Sequence, residues 1–536
     1  MDNSMKKNNN RKNVEVGLII VSVAILVIFV IFMIVKSEAT LESISGFFWK
    51  MIAVLGPFIE VFGFIMFILA IYLGVGKYGK VRMGDCKPEY STYSYIAMML
   101  LASLASAALY WSFTEWAFYY ESPGLGMEPR STEALESAIG YQFFHWGFSM
   151  QALYTILGVA IAYGVYVRKV KSFQTSAICC AMMGEKVGAG PKTALGKIID
   201  FCVIFGILAG LSSTLGLAVP LSTGGLSKLF GLEATMVVQI GVIVIIAIVY
   251  ISMAIVGINR GMKVVSNLAT YICIAFLLYV LFFGPTTFIL KNIVNSFGHL
   301  IDKMPRMMLF TDPVEGKGFA EGWTMYFIAF YLNYLAMMGI FIAKVSKGRT
   351  IREIAVATIL GITAGSIFLF GVNGSFSINT FLTGKVDVVD LVNSGVGDAA
   401  IYQIIDVLPL GGTLLPVAIL VLIICFVAPS MDSASLALAE TVTKGGAPKM
   451  TIRIFWCILL AVIPMCIILS GAGFTPIKYI AIIVSIPFLV IMIGVAIGLF
   501  KWLKEDNQNG LHAENIALQE EERKKEFAKK YGEKTE

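Results

Sequence analysis

The chain has 536 residues and a formal net charge of +6, with 57% hydrophobic and 14% charged residues. Soluble chains carry about 25% charged residues, so this one lacks the polar surface to cover a soluble multidomain enzyme. Its aromatic content and aperiodic glycines exclude disordered and collagen-like chains. What remains is an all-α polytopic membrane protein, with no need of a nucleic-acid partner.

Apolar runs long enough to cross about 30 Å of hydrocarbon predict twelve transmembrane helices. They fall at 16–35, 47–75, 93–120, 141–167, 198–221, 234–257, 269–290, 323–343, 351–371, 414–439, 452–469 and 477–500. The first run is longer than a signal-peptide core and no small-residue cleavage site follows it, so it reads as a retained span. Loop charge tests the count. The 1–15 segment carries Lys6, Lys7, Arg11 and Lys12. The loops after spans two, four, six and eight are basic, through Lys77, Lys80, Arg82 and Lys87, then Arg168, Lys169, Lys171, Lys186, Lys192 and Lys197, then Arg260 and Lys263, then Lys344, Lys347, Arg349 and Arg352. The opposite loops are acidic or balanced, with Glu121, Glu128, Glu133 and Glu136, and later Asp387, Asp390, Asp398 and Asp406. Positive loops face the cytoplasm, which predicts both ends inside. Residues 291–322 read as an external helix and loop, because 305–322 is too polar to cross. The tail, 501–536, pairs Glu520/Lys524, Glu521/Lys525 and Glu526/Lys530 at i,i+4 spacing, which predicts a solvated helix. A tail that senses the membrane surface or ionic strength is the sharper alternative.

No catalytic constellation appears, so no enzyme, cofactor or metal is expected. The eight cysteines are scattered and the three histidines (His145, His299, His512) have no metal-ligand spacing. GAGPKT at 188–193 lacks the residue order and preceding strand of a phosphate loop. The informative residues are polar and aromatic positions inside spans. Glu60, Glu115 and Asp432 are functional candidates because intramembrane charge is costly; bonding a neighbouring helix is the bland reading of each. Span three opens with Ser103, Ala105, Ser106, Ala107 and Ala108, which permit close packing or a locally unwound backbone. Span eight places Phe330, Tyr331 and Tyr334 with Met338 one turn on, a ring-and-sulfur face that suits either core packing or a cation cage.

The stretches SAALYWSFTEW (106–116), FHWG (144–147), GEK (184–186), PRMMLFTDP (305–313), GWTMYFIAFY (322–331), KVSKGRTIRE (344–353) and SMDSAS (430–435) carry a further signal. In order and over most of the chain, they resemble the betaine/carnitine/choline transporter family. The likeness is greatest to its sodium-independent branch, which exchanges carnitine and γ-butyrobetaine. The resemblance implies a LeuT-like core of two inverted five-helix repeats, 93–290 and 323–500, with two extra helices in 16–92. It also implies a trimeric assembly in the plasma membrane and a small methylated-amine substrate moved by alternating access.

By position, the implied cage comprises Phe118, Trp146, Phe330, Tyr331, Tyr334 and Met338, with Trp323 in an outer vestibule. An unwound stretch at Ser103, Ala105, Ser106 and Ala107 would receive the carboxylate. The family's span eight is tryptophan-rich, whereas this chain has Ile328, Phe330 and Tyr331 at three of those positions. Phe118 stands where the carnitine branch has tyrosine. Phenyl rings give a weaker cation–π face than indole, so weaker binding or another methylated amine is expected. The sodium-coupled pattern is also missing: Pro429-Ser430 replaces Thr-Ser, and Ala269 replaces the arginine that the exchanger uses in place of the ion. Sodium-independent exchange or uptake is the expectation, with Glu115, Ser430, Asp432 and Ala269 as coupling or structural positions. A carrier for a less methylated amine or amino acid, and an ion-coupled osmolyte symporter with a sensing tail, are the alternatives. A channel or a pure sensor is a rival of another class.

Overall fold

The computed structural model describes residues 14–35, 37–185, 193–444, 446–470 and 475–531. The N-terminal basic cluster and the Lys186 and Lys192 loop positions lie outside the described residues. The regular structure of the described residues is helical, joined by turns and loops, with isolated bridges pairing Val14 with Thr443 and Arg82 with Thr350. In chain order the helices are α1 (Val16–Val35), α2 (Ser37–Val75), α3 (Thr92–Glu121), α4 (Thr132–Trp146), α5 (Phe148–Tyr166) and α6 (Thr175–Met182). Then come α7 (Ala194–Phe230), α8 (Met236–Val256), α9 (Lys263–Phe283), α10 (Thr286–Met308), α11 (Tyr326–Val345) and α12 (Ile351–Leu382). The last are α13 (Val388–Asn393), α14 (Gly397–Asp406), α15 (Leu414–Thr441), α16 (Met450–Ser470), α17 (Thr475–Gln508) and α18 (Leu511–Tyr531).

Among the described residues ten helices are long and apolar enough to cross a membrane, with α4 and α5 taken as one. The bent α3 makes an eleventh if its two segments form one span, and α1 holds a shorter apolar run, Val16–Phe32. The chain is thus a multi-pass membrane protein. Helix starts follow local chemistry. Ser91, Ser131, Thr193 and Thr235 each accept a backbone N–H at their helix N-termini. Thr350 and Glu353 form a reciprocal capping box.

Three features depart from the sequence reading. Span three does not unwind at residues 103–107; it stays helical and bends by 61° between Thr92–Leu104 and Ala107–Glu121. The side chains of Ala105 and Ser106 lie outside the described residues. Span four breaks at Gly147, where any Cβ would collide with the Phe143 carbonyl. The helix after span seven begins at Thr286, inside the predicted span seven (269–290), and buries Ile289, Leu300 and Met307 along one side.

Lipid supplies no hydrophobic drive between helices, so close packing and hydrogen bonds hold the bundle. A Cβ on Gly158 of α5 would stand 2.6 Å from Ile342 Cγ2 of α11, and one on Gly339 of α11 would stand 2.7 Å from Leu157 Cγ of α5. The two helices interlock reciprocally. Asp432 forms an ion pair with Arg453, whose guanidinium also donates to the Ala254 carbonyl at 3.3 Å. Asp432 therefore has a structural partner that ties α15 to α16. Ser430 Oγ donates to the carbonyls of Leu101 and Ala102 at 3.1 and 3.2 Å, fastening α15 to α3 just before its bend. Ala269 is fully buried on α9.

The tail is not a freely solvated helix. The Arg82 amide donates to Asn515 Oδ1 at 2.9 Å, and the Arg82 guanidinium pairs with Glu522 at 2.6 Å. Asp506 and Glu505 both pair with Arg168. Of the expected i,i+4 pairs, Glu521–Lys525 forms, at 2.6 Å.

Candidate substrate site

A six-residue π turn, Ala320–Met325, leads into α11. It rotates the helix so that Trp323, Tyr326, Phe327 and Phe330, spaced i, i+3, i+4 and i+7, share one face. These four side chains line a cavity of about 220 Å³. Trp146 closes it from the end of α4, Trp111 and Ala107 from α3, and Ser213, Thr214 and Leu217 from α7. Phe48 and Trp49 of α2 and Tyr479 of α17 complete the wall with Gly322. No charged side chain lines it among the described residues. The volume falls below the roughly 300–1,000 Å³ of sites for drug-sized ligands, which suits a compact solute.

The rings brace one another. Trp111 meets Trp323 edge-on, with centroids 6.2 Å apart, and Phe118 packs against both at 5.8 and 5.7 Å. Trp146 meets Phe327 edge-on at 5.4 Å and stacks on Phe370 at 5.1 Å. Its indole N–H donates to Glu115 Oε2 at 2.7 Å. Glu115 also accepts the Tyr119 hydroxyl. Tyr119 lies 2.7 Å from His145 Nδ1, and His145 Nε2 lies 3.2 Å from the Thr324 hydroxyl. With Tyr119 donating to Glu115, a consistent chain follows: Thr324 O–H to Nε2, and Nδ1–H to the Tyr119 oxygen. It runs from the base of α11 through α4 and α3 to the indole in the cavity wall. Glu115 is thereby a positioning group for Trp146.

The structure brings Trp146, Phe330, Ala107 and Trp323 to the cavity, and Phe118 to the rings behind it. Trp323 lies in this same wall. Tyr331, Tyr334 and Met338 are buried further along α11 and do not line the cavity. The Tyr331 ring stacks on Tyr154 at 5.3 Å and its hydroxyl accepts from Gln151 Nε2 at 3.2 Å. Gln151 in turn accepts from Ser103 at 2.9 Å. The Tyr334 hydroxyl donates to the Gly210 carbonyl at 2.8 Å and lies 2.6 Å from the Thr214 hydroxyl. The cavity sits about one helical turn nearer the start of α11 than Tyr331, Tyr334 and Met338. Trp111, Tyr326, Phe327 and Thr214 were missed. Tyr326 and Phe327 were within reach as an aromatic face of α11 at helical spacing with Trp323 and Phe330.

The fold and this site define a multi-pass membrane transporter. More particularly, the chain belongs to the betaine/carnitine/choline family of transporters, whose model (BCCT, betaine/carnitine/choline family transporter) matches residues 17–508. It is 36% identical over 442 residues to the "Uncharacterized transporter YeaV" of Escherichia coli strain K12, covering 82% of this chain and 91% of that protein. It is 34% identical over 449 residues to a protein of Acinetobacter baumannii named "Carnitine transporter", covering 83% and 81% respectively. A solved structure of a Na+-coupled sialic acid symporter, substrate-bound and outward-open, aligns at TM-score 0.42 and 12% identity. It covers 77% of this chain and 80% of that one, a likeness too slight to argue from.

Proposed function

We propose that this protein is a secondary carrier of betaine-type quaternary ammonium compounds, working by alternating access. The observation that carries the reading is a compact cavity walled by indole, phenol and phenyl rings, with no acidic or basic side chain in its lining. A trimethylammonium group cannot donate hydrogen bonds, so ring faces are its natural host, at about 2 kcal/mol or more when desolvated. The bend of α3 brings Ala107 to the cavity, and we place the substrate's carboxylate beside this stretch.

Transport is read as sodium-independent exchange or uptake. Supporting this, Ser430 spends its hydroxyl on the Leu101 and Ala102 carbonyls, and Ala269 offers no oxygen or charge. Twelve spans with both ends cytoplasmic, two inverted repeats at 93–290 and 323–500, and a trimer in the plasma membrane belong to the same proposal.

The test is uptake into proteoliposomes loaded with glycine betaine, carnitine, γ-butyrobetaine or choline, with and without sodium. One of the four is expected to support counterflow in the absence of sodium. Trp146→Ala and Phe330→Ala should weaken binding more than Tyr331→Ala does. Sodium-dependent uptake abolished by Ser430→Ala would defeat the coupling assignment. Undiminished binding in both wall variants would defeat the site.

A further inference from the structure

Glu60 lies in α2 between Gly56 and Gly63, on one helical face at i, i+4 and i+7 spacing. A Cβ on Gly56 would collide with Met325 Sδ, and one on Gly63 would stand 2.8 Å from Ile328 Cδ1. This face of α2 is therefore pressed against the 320–325 turn and the first turn of α11. Pressed between them, Glu60 is 0% exposed, and neither of its oxygens has a hydrogen-bond partner among the described residues. The charged groups that act on it are Glu321 of the turn and Arg306 of α10. Tyr141 of α4 is acted on by the same Glu60 and Arg306. Glu321 Oε2 and the Tyr141 hydroxyl are likewise buried without partners, and the Tyr141 residue is 1% exposed.

An ionised carboxylate buried without a donor is strongly unfavourable, and a second carboxylate acting on it adds repulsion. A proton on Glu60 removes its charge and supplies a donor where Glu321 Oε2 is buried without one. We propose that Glu60, Glu321 and Tyr141 form a proton-binding site whose occupancy sets the packing of the 320–325 turn, on which Gly322 and Trp323 line the cavity. The proton comes from water and returns to it when the acid ionises. With the proton held, α2 and the turn stay pressed together and Trp323 keeps its place in the wall. Once it is lost, repulsion between Glu60 and Glu321 pushes the turn away from α2. Substrate affinity therefore falls as pH rises. The link to affinity rests on the cavity being the substrate site; the proton site itself does not.

Two measurements separate these. First, the tryptophan emission of substrate-free full-length protein is titrated with pH. The wild type is expected to titrate, and both Glu60→Gln and Trp323→Phe are expected to lose that transition. His145 stacks at 6.5 Å from Trp323, so a transition that persists unchanged in Glu60→Gln belongs to another group and overturns the proposal. A wild-type emission with no transition overturns it equally. Second, the Kd for glycine betaine is measured against pH. One linked proton gives a rise of up to about tenfold per pH unit in the wild type, and Glu60→Gln holds the low-pH Kd throughout. If glycine betaine binds at no pH while the emission still titrates through Glu60, the substrate reading fails and the proton site stands.

Discussion

Glu115→Ala tests how the cavity wall is held. The carboxylate is fully buried and is the acceptor for two donors, the Trp146 indole N–H and the Tyr119 hydroxyl. Alanine strands the indole N–H, while the Tyr119 hydroxyl can turn to His145 Nδ1, 2.7 Å away. A stranded buried donor costs about 1–3 kcal/mol of stability. Function should suffer separately, because an unpinned indole no longer presents its face to the ligand. Losing one desolvated cation–π partner of about 2 kcal/mol corresponds to roughly thirtyfold weaker binding at 1.4 kcal/mol per decade. Thermal unfolding in detergent reads the first effect, and a glycine betaine titration followed by tryptophan fluorescence reads the second. Glu115→Gln keeps one acceptor oxygen and turns an N–H₂ toward the other donor, so it should fall between wild type and Glu115→Ala on both scales. If Glu115→Ala melts with wild-type protein and binds within about twofold of it, the pinning argument is refuted.

Two further predictions concern other parts of the molecule. Arg453→Met leaves the Asp432 carboxylate buried without its partner and should destabilise the protein by about 3–5 kcal/mol, while Arg453→Met with Asp432→Leu recovers much of that loss. Thermal melts of the two variants check it, and equal losses would refute the ion-pair account. In the tail, burial lowers the His512 imidazole below its ordinary 6.5, with Arg168 and Lys77 acting in the same sense and Asp506 opposing them. The released tail then binds the proton better than the docked one, so docking is fully present above that ordinary value and weakens as pH falls below it. Hydrogen exchange of residues 511–531 should show protection lost on acidification in the wild type and retained in His512→Gln. Arg82 holds Glu522 below the usual carboxylate range, so their ion pair does not titrate in the same interval. Equal loss of protection in both proteins would overturn the assignment.

Much of the architecture was legible because lipid leaves a plain signature. Each predicted apolar run has a helix over it, since a run of about twenty uncharged residues has few other ways to satisfy its backbone in hydrocarbon. What escaped were local irregularities whose causes lie elsewhere in the chain. The break at Gly147 and the π turn at Ala320–Met325 depend on neighbours that sequence periodicity does not contain. The missed turn carried the ring face of α11 away from Tyr331 and Tyr334 toward Tyr326 and Phe327. Glu115 was legible as a costly buried charge, but its partners Trp146 and Tyr119 come together only in the tertiary fold. Asp432 was legible in the same way, and its partner Arg453 stands in the next helix, where the sequence gives no hint of pairing. The tail's i,i+4 pattern was visible, whereas Asn515 and Glu522 reaching Arg82 was not.

The reciprocal seating of Gly158 and Gly339 locks the register of α5 and α11, because neither helix can slide along the other without driving a side chain into the other's backbone. Trp323, Phe327 and Phe330 ride on that pair. Trp111 and Thr214 stand on α3 and α7. The cavity is therefore walled on one side by this register-locked pair and on the other by α3 and α7. Trp146 stands between the two sides. It is bonded to Glu115 of α3 yet leads into α5 through Gly147, so one residue ties both sides of the wall together.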